Sequence, residues 1–180
     1  MVHLGTKQLE TEQLLLRRLT LDDASPLYHG LRNQPEFLYY TNKKEISLNE
    51  QIELFEKLEE KYKEKTYYNW AIVLKSTGEI VGMINFKVND FNDSVEFNYA
   101  TDNRHTNKGY MTEALKCVTN FALNELNVNR IQGGCVATNL ASKRVIEKCG
   151  YTFEGTLKSY IKLSDGYHDM KMFSIVNNGG

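Results

Sequence analysis

The stretch TDNRHTNKGYMTEA, residues 101–114, holds the residue types best suited to gripping an anion. It is polar, it follows an alternating apolar run, and it leads straight into apolar residues at helical spacing. A loop that opens a helix presents unpaired N–H groups and the positive end of the helix dipole, and both attract phosphate. Gly109 carries no Cβ, so the backbone there can approach such a group closely. Arg104 and Lys108 add positive charge, Asn107 and Thr112 add donors, and Tyr110 and Met111 open the helix. The P-loop pattern G-x-x-x-x-G-K-[ST] and the dinucleotide pattern G-x-G-x-x-G are both missing. On this segment alone, an anion site and an ordinary glycine-started helix both stay open.

A second polar segment, NLASKRVIEKCGYTFEG, begins at Asn139. Asn139 falls where a strand gives way to a helix, so it is either an N-cap or a side chain offered to a ligand. Ser142 lies one turn further on, either as a plain first-turn serine or as a hydroxyl facing a reacting atom. Glu96 alternates with Val95 and Phe97 and so points away from them. A solvated or salt-bridged carboxylate and a proton acceptor are its two readings. His105, in the loop, is expected in solvent, and His168 and Asp169 adjoin a hairpin turn. No Ser/His/Asp spacing suggests a hydrolase, and no clustered ligand pattern suggests a metal. Cys117, Cys135 and Cys149 lack C-x-x-C spacing and read as buried free thiols.

The chain has 180 residues, 41% hydrophobic and 25% charged, which fits a single domain over 1–180. Such a chain can bury roughly two-thirds of its unfolded surface without a disulfide or metal. A net charge of -1 and a pI near 6.4 leave no broad basic footprint, so nucleic acid is not an expected partner. The opening MVHLGTKQLETEQ lacks the apolar core of a signal peptide. No run approaches the ~20 apolar residues of a membrane span. These readings point to a cytoplasmic protein with no membrane partner, and they leave a homodimer open. The tail from Asn177 to Gly180 is expected to fray.

Elements must hold these residues in place. Residues 12–19 read as a strand, with Asp22 or Asp23 capping a helix over 23–33. A second helix spans 48–64, with Leu48, Ile52, Phe55, Leu58 and Tyr62 on one stripe. Alternation then sets in over 68–74, 80–88 and 95–99, with turns at 76–78 and 89–93, which implies an antiparallel meander. A long helix covers 109–126, with Met111, Ala114, Leu115, Val118, Phe121 and Ala122 on its apolar face. A strand at 130–138, a helix at 140–149 and strands at 151–163 and 167–176 follow. The strand–helix–strand unit from 94 to 138 requires one parallel pair.

The run NKGYMTEAL and the later NLASKRVIEKCGYTFEG, with the closing GYHDMKMFSI, resemble the GNAT superfamily of acetyltransferases. The nearer likeness is to its RimJ/RimL branch, named for enzymes that acetylate ribosomal-protein N-termini. The resemblance covers nearly the whole chain. It implies an α/β fold with a mixed, mostly antiparallel central sheet of about seven strands and about four helices on its faces. It also implies acetyl-CoA as cosubstrate. The family motif Q/R-x-x-G-x-G/A falls on Thr106 to Met111. Gly109 matches, while Thr106 and Met111 depart from the pattern. The backbone N–H cradle that grips the pyrophosphate does not depend on those side chains.

By the same resemblance, the strand end at Tyr99, Ala100 and Thr101 meets the pantetheine arm, as does Asn139. Family members often place a tyrosine acid where this chain has Ile146, which cannot donate a proton. Ser142 is the nearest replacement and would hydrogen-bond the sulfur. Glu96 stands where the family often carries an acid that accepts the amine proton through water, and Asp169 resembles a recurrent Asp near the acceptor groove. Acetyl transfer needs a neutral amine held close to the thioester, donors for the developing oxyanion and a proton for the thiolate. The expected acceptor is a protein N-terminal amine. A small amine (a polyamine, amino acid or amine toxin) and a noncatalytic acyl-CoA sensor are the alternatives.

Overall fold

The alternation over residues 68–101 becomes three consecutive antiparallel strands. In the computed structural model, which describes residues 1–177, the strands are β1 (Leu9–Glu10), β2 (Leu14–Arg18), β3 (Tyr68–Leu74), β4 (Ile80–Asn89), β5 (Ser94–Thr101), β6 (Arg130–Val136), β7 (Thr152–Leu163) and β8 (Gly166–Val176). They form one sheet in the order β1-β2-β3-β4-β5-β6-β8-β7. Only β5 and β6 are parallel, because α5 (Tyr110–Asn124) crosses over between them. The mixed, mostly antiparallel sheet is as expected. The eighth strand is the two-residue β1, too short to show alternation.

Both sheet faces are covered. On one face Trp70, Ile72 and Phe97 pack with Ala114, Leu115, Val118 and Phe121 of α5, each at most 3% exposed. Burial of each large apolar side chain contributes about 1.5–3 kcal/mol. On the other face Ala71, Val73 and Ile80 meet Leu27, Leu31 and Leu58. Burial from two sides explains why β3 is buried at every position.

The helices on that second face differ from expectation. The helix foreseen over 23–33 is three short pieces: a 3₁₀ turn at Leu21–Asp23, α1 (Ala24–Leu27) and a π-turn at Tyr28–Arg32. Asp23 does not cap α1. Its carboxylate accepts two bonds from Arg17, at 2.7 and 2.8 Å, and one from the Thr20 N–H at 2.8 Å. The next helix, α2 (Pro35–Thr41), was not foreseen, although Pro35 at its first turn and left-handed Asn42 at its end both mark it. The helix foreseen over 48–64 breaks at Lys57 into α3 (Leu48–Glu56) and α4 (Leu58–Lys61). Ser47 and Glu50 close a capping box at the start of α3. The last helix, α6 (Leu140–Lys148), lies where 140–149 was expected. Asn177 does not fray, since its N–H donates to the Asn129 carbonyl at 2.8 Å. Residues 178–180 lie outside the described part.

The parallel pair is short. Ser94, Val95 and Glu96 register with Arg130, Ile131 and Gln132, and no pairing of β5 with β6 follows. β6 continues along β8 to Val136, while β5 continues along β4 to Thr101. The sheet therefore parts between β5 and β6. Phe97 lies over Gly133 just past the last pair, where a Cβ would come within 2.4 Å of the ring.

Candidate active site

A cavity of about 460 Å³ opens at this parting. β5 supplies Tyr99, Ala100 and Thr101 to its wall, and α6 supplies Ser142 and Val145. Phe37 and Tyr40 of α2 close the opposite wall. A residue's place along the split decides its role, because strand edges there present backbone groups that the sheet leaves unpaired.

The loop before α5 turns on two left-handed residues, Asn107 at φ 60° and Gly109 at φ 85°. A Cβ on Gly109 would meet nothing within 4 Å, so the backbone angle, not crowding, is what favours glycine there. The first helical bond of α5 runs from the Glu113 N–H to the Gly109 carbonyl at 3.0 Å. The N–H groups of Tyr110, Met111 and Thr112 precede that ladder, as at any helix start. Asn107, Gly109, Tyr110, Met111 and Thr112 all line the cavity. A left-handed turn leading into a helix start of this kind fits an anionic diphosphate.

The two cations read from the same stretch are not brought into the cavity. Lys108 is exposed outside its lining. Arg104 folds back on buried Asp102, donating through Nε at 3.0 Å and Nη2 at 2.5 Å. Burial pushes Asp102 up, but the Arg104 hydrogen bonds and charge outweigh it and hold the carboxyl below its ordinary range. Gly30 of the π-turn lies against this pair, where a Cβ would sit 1.9 Å from Asp102 Oδ2. His105 is buried and not in solvent, and its Nε2 is 3.2 Å from Glu79 Oε1 without hydrogen-bond geometry.

At α6, Asn139 Oδ1 accepts from the Ser142 N–H at 3.0 Å, so Asn139 caps the helix while also lining the cavity. Ser142 Oγ shares a 2.8 Å hydrogen bond with the Tyr99 hydroxyl, which also lies 3.2 Å from the Ser142 carbonyl. Burial pushes the Tyr99 phenol far above its ordinary range, and the bond to Ser142 opposes this only in part. Tyr99 therefore stays protonated; its one proton goes either to the Ser142 carbonyl or to Ser142 Oγ, and the second choice leaves the Ser142 proton available to another acceptor. The sequence offered Tyr99 only through its backbone; this side-chain contact joins residues too far apart in the chain to be read from spacing. Ile146 is fully buried and does not line the cavity.

Glu96 belongs to the last register pair before the parting, on the face opposite Val95 and Phe97. It does not line the main cavity but a separate depression with Lys87 and Gln132. Asp169 holds an irregularity in β7: it accepts from the Ser159 N–H at 2.9 Å and from Lys158 at 2.7 Å, where Ser159 has φ 49°. A bridge absent from the sequence reading ties α2 to the final hairpin. Tyr39 donates to Asp165 at 3.0 Å, and Asp165 also bonds His168 at 2.7 Å.

A sheet parted beside its parallel pair, with a helix start at the parting that can hold an anion, fits the acetyltransferase class that the sequence resemblance implies. The chain belongs to the GNAT family: the acetyltransferase (GNAT) domain matches residues 13–152. It is 28% identical to the uncharacterized N-acetyltransferase YoaA of Bacillus subtilis strain 168, over 93% of this chain and 96% of that one. It is 27% identical to the ribosomal-protein-serine acetyltransferase of Escherichia coli K12, over 53% of this chain and 54% of that one. Its fold matches the crystal structure of a GNAT-family acetyltransferase from Bacillus anthracis with a TM-score of 0.84 at 21% identity, covering 96% and 100% of the two chains. The protein is an acetyl-CoA-dependent N-acetyltransferase. Among the described residues, no helix is long and apolar enough to cross a membrane.

Proposed function

We propose that this enzyme acetylates the N-terminal amine of a protein, working in the cytoplasm as one domain over residues 1–180. The observation that carries the reading is the cavity at the parting of β5 and β6. Ser142 lies on the α5–α6 face at the parting, and Glu96 lies at its root on the other face. The likeness to a ribosomal-protein-serine acetyltransferase supports a protein acceptor.

Acetyl-CoA supplies the activated acetyl thioester. The backbone of Asn107, Gly109, Tyr110, Met111 and Thr112 would hold its pyrophosphate. The edge from Tyr99 to Thr101 and the Asn139 side chain would hold its pantetheine arm. Arg104 acts at one remove, by setting the loop through Asp102. The Tyr99 phenol donates to Ser142 Oγ, and Ser142 turns its own proton to the leaving sulfur. Glu96 accepts the amine proton through water from the opposite side.

The test is an acceptor panel: peptides with free N-termini beside polyamines and amino acids, read by thiol release and by mass spectrometry of the product. Peptides acetylated at the α-amine should give the highest kcat/KM. A small amine better by about tenfold would replace the protein acceptor. Acetyl-CoA binding with no thiol release across the whole panel would favour a sensor.

A further inference from the structure

His105 lines the main cavity, yet both of its ring nitrogens are shut off from solvent and have no hydrogen-bond partner. Its side chain is only 7% exposed. Its backbone N–H donates to the Asp102 carbonyl at 2.8 Å and closes the 3₁₀ turn Asn103–His105. That turn leads straight into Asn107 and Gly109, the two left-handed residues of the loop before α5. Nε2 lies 3.2 Å from Oε1 of Glu79, in the turn before β4. The distance is already near that of a hydrogen bond, and only the angle is missing.

A neutral imidazole carries one N–H donor and one lone pair, and burying both unmatched is unfavourable. Protonation gives each nitrogen an N–H and adds a charge. Glu79 from the turn before β4 and Asp102 from just past the end of β5 favour that charge. Burial and the neighbouring Arg104 oppose it. The Tyr110 ring of α5 is centred 6.3 Å away, and the π-turn brings the uncharged Gly30 against Asp102 and Arg104. Arg144 and Lys148 of α6 and Glu36 of α2 line the same cavity. Opposing groups therefore surround the ring, and a multiply charged anion at the start of α5 adds to the side that favours the imidazolium.

We propose that His105 is a positioning residue for acetyl-CoA: as an imidazolium it pairs with Glu79 through Nε2 and steadies the loop that receives the diphosphate, so that cofactor binding takes up a proton. This rests on the placement of the diphosphate at the start of α5. The ring nitrogens are sealed, so His105 acts through its charge and through the loop, without touching the cofactor. Linkage fixes the sign. A proton gained on binding makes binding tighter as pH falls through the imidazole range, ordinarily about 6.5.

The test is calorimetric titration of the full-length protein with acetyl-CoA, without acceptor, between about pH 6 and about pH 8 and in buffers of differing ionisation enthalpy. His105→Gln keeps a side-chain donor and acceptor but cannot be protonated. The unmodified protein should take up more proton on binding than this variant. Its affinity should exceed the variant's about fivefold at about pH 6 and match it at about pH 8. The 3′-phosphate of the cofactor also titrates at about pH 6, and comparing variants on the same ligand cancels it. A residue that only fills space would lose the same affinity at every pH. Parallel profiles for the two proteins would therefore overturn the proposal, whatever the affinities. Glu79→Gln changes an exposed turn residue and should flatten the pH dependence of the unmodified protein to that of His105→Gln. Full retention of the dependence in Glu79→Gln would also overturn it, and this variant decides alone if His105→Gln does not fold. Gly109→Val separates the proposal from the cofactor site. Unchanged affinity there moves the site and the proposal with it, whereas lost affinity with parallel His105 profiles keeps the site and sinks only the proton link.

Discussion

Ser142 and Tyr99, joined by a hydrogen bond, form the smallest unit of the proposed chemistry. If Ser142 assists the sulfur only as charge develops, Ser142→Ala should lower kcat about tenfold or more and leave acetyl-CoA affinity within about twofold. Loss of both in proportion would make Ser142 a binding residue. Tyr99→Phe tests the phenol separately. It should lower kcat in the Ser142 background and have little further effect once Ser142 is Ala, because the two act as one hydrogen-bonded unit. Additive losses would refute the coupling. In the proposed mechanism Glu96 serves the amine. The rate should rise with pH, since only the neutral amine attacks, and Glu96→Gln should shift that rise to higher pH with acetyl-CoA affinity nearly intact. An unshifted profile at normal rate would leave bulk water as the proton's destination.

At the scale of elements, the loop before α5 carries the prediction. A β-branched residue is strongly disfavoured at the left-handed angle of Gly109, so Gly109→Val should flatten the loop's N–H array. Acetyl-CoA affinity should fall by about tenfold or more while circular dichroism stays native. Unchanged affinity would move the cofactor elsewhere. The strands and α5 were legible because their periods are local properties of the chain. Met111, Ala114 and Leu115 sit at helical spacing, and Tyr68, Trp70 and Ile72 alternate. What the sequence concealed was settled by distant contacts. Asp23 looked like a cap, but Arg17 lies across the strand end to claim it. Arg104 looked like a phosphate ligand, and a buried Asp102 two residues away held it instead. The helix over 23–33 ends in a π-turn whose Gly30 lies against that same pair.

Over the whole molecule, stability should respond to ligand and to acid. Acetyl-CoA at about a hundred times its Kd adds about 2.7 kcal/mol. For a domain of this size that raises Tm by about 5–10 °C, and Gly109→Val should lose most of the rise at the same concentration. Burial alone would raise Asp23, but hydrogen bonds from Arg17 and Thr20 hold it below the ordinary carboxylate range. A depressed carboxylate stabilises the fold above its unfolded value of about 3.9, and this is lost as pH falls through the folded value. Asp23→Asn should therefore cost about 2 kcal/mol near neutrality, and the gap from the unmodified protein should close below about pH 4. The parted sheet was legible only as a parallel pair; the contact of Phe97 with Gly133 just past the last pair joins strands far apart in sequence. The most direct measurement is an amide chemical-shift titration of the isotope-labelled protein with acetyl-CoA. The largest changes should fall on residues 99–101, 107–112 and 139–142, flanking the β5–β6 parting. Changes centred on another face, with these amides unmoved at saturation, would contradict the site.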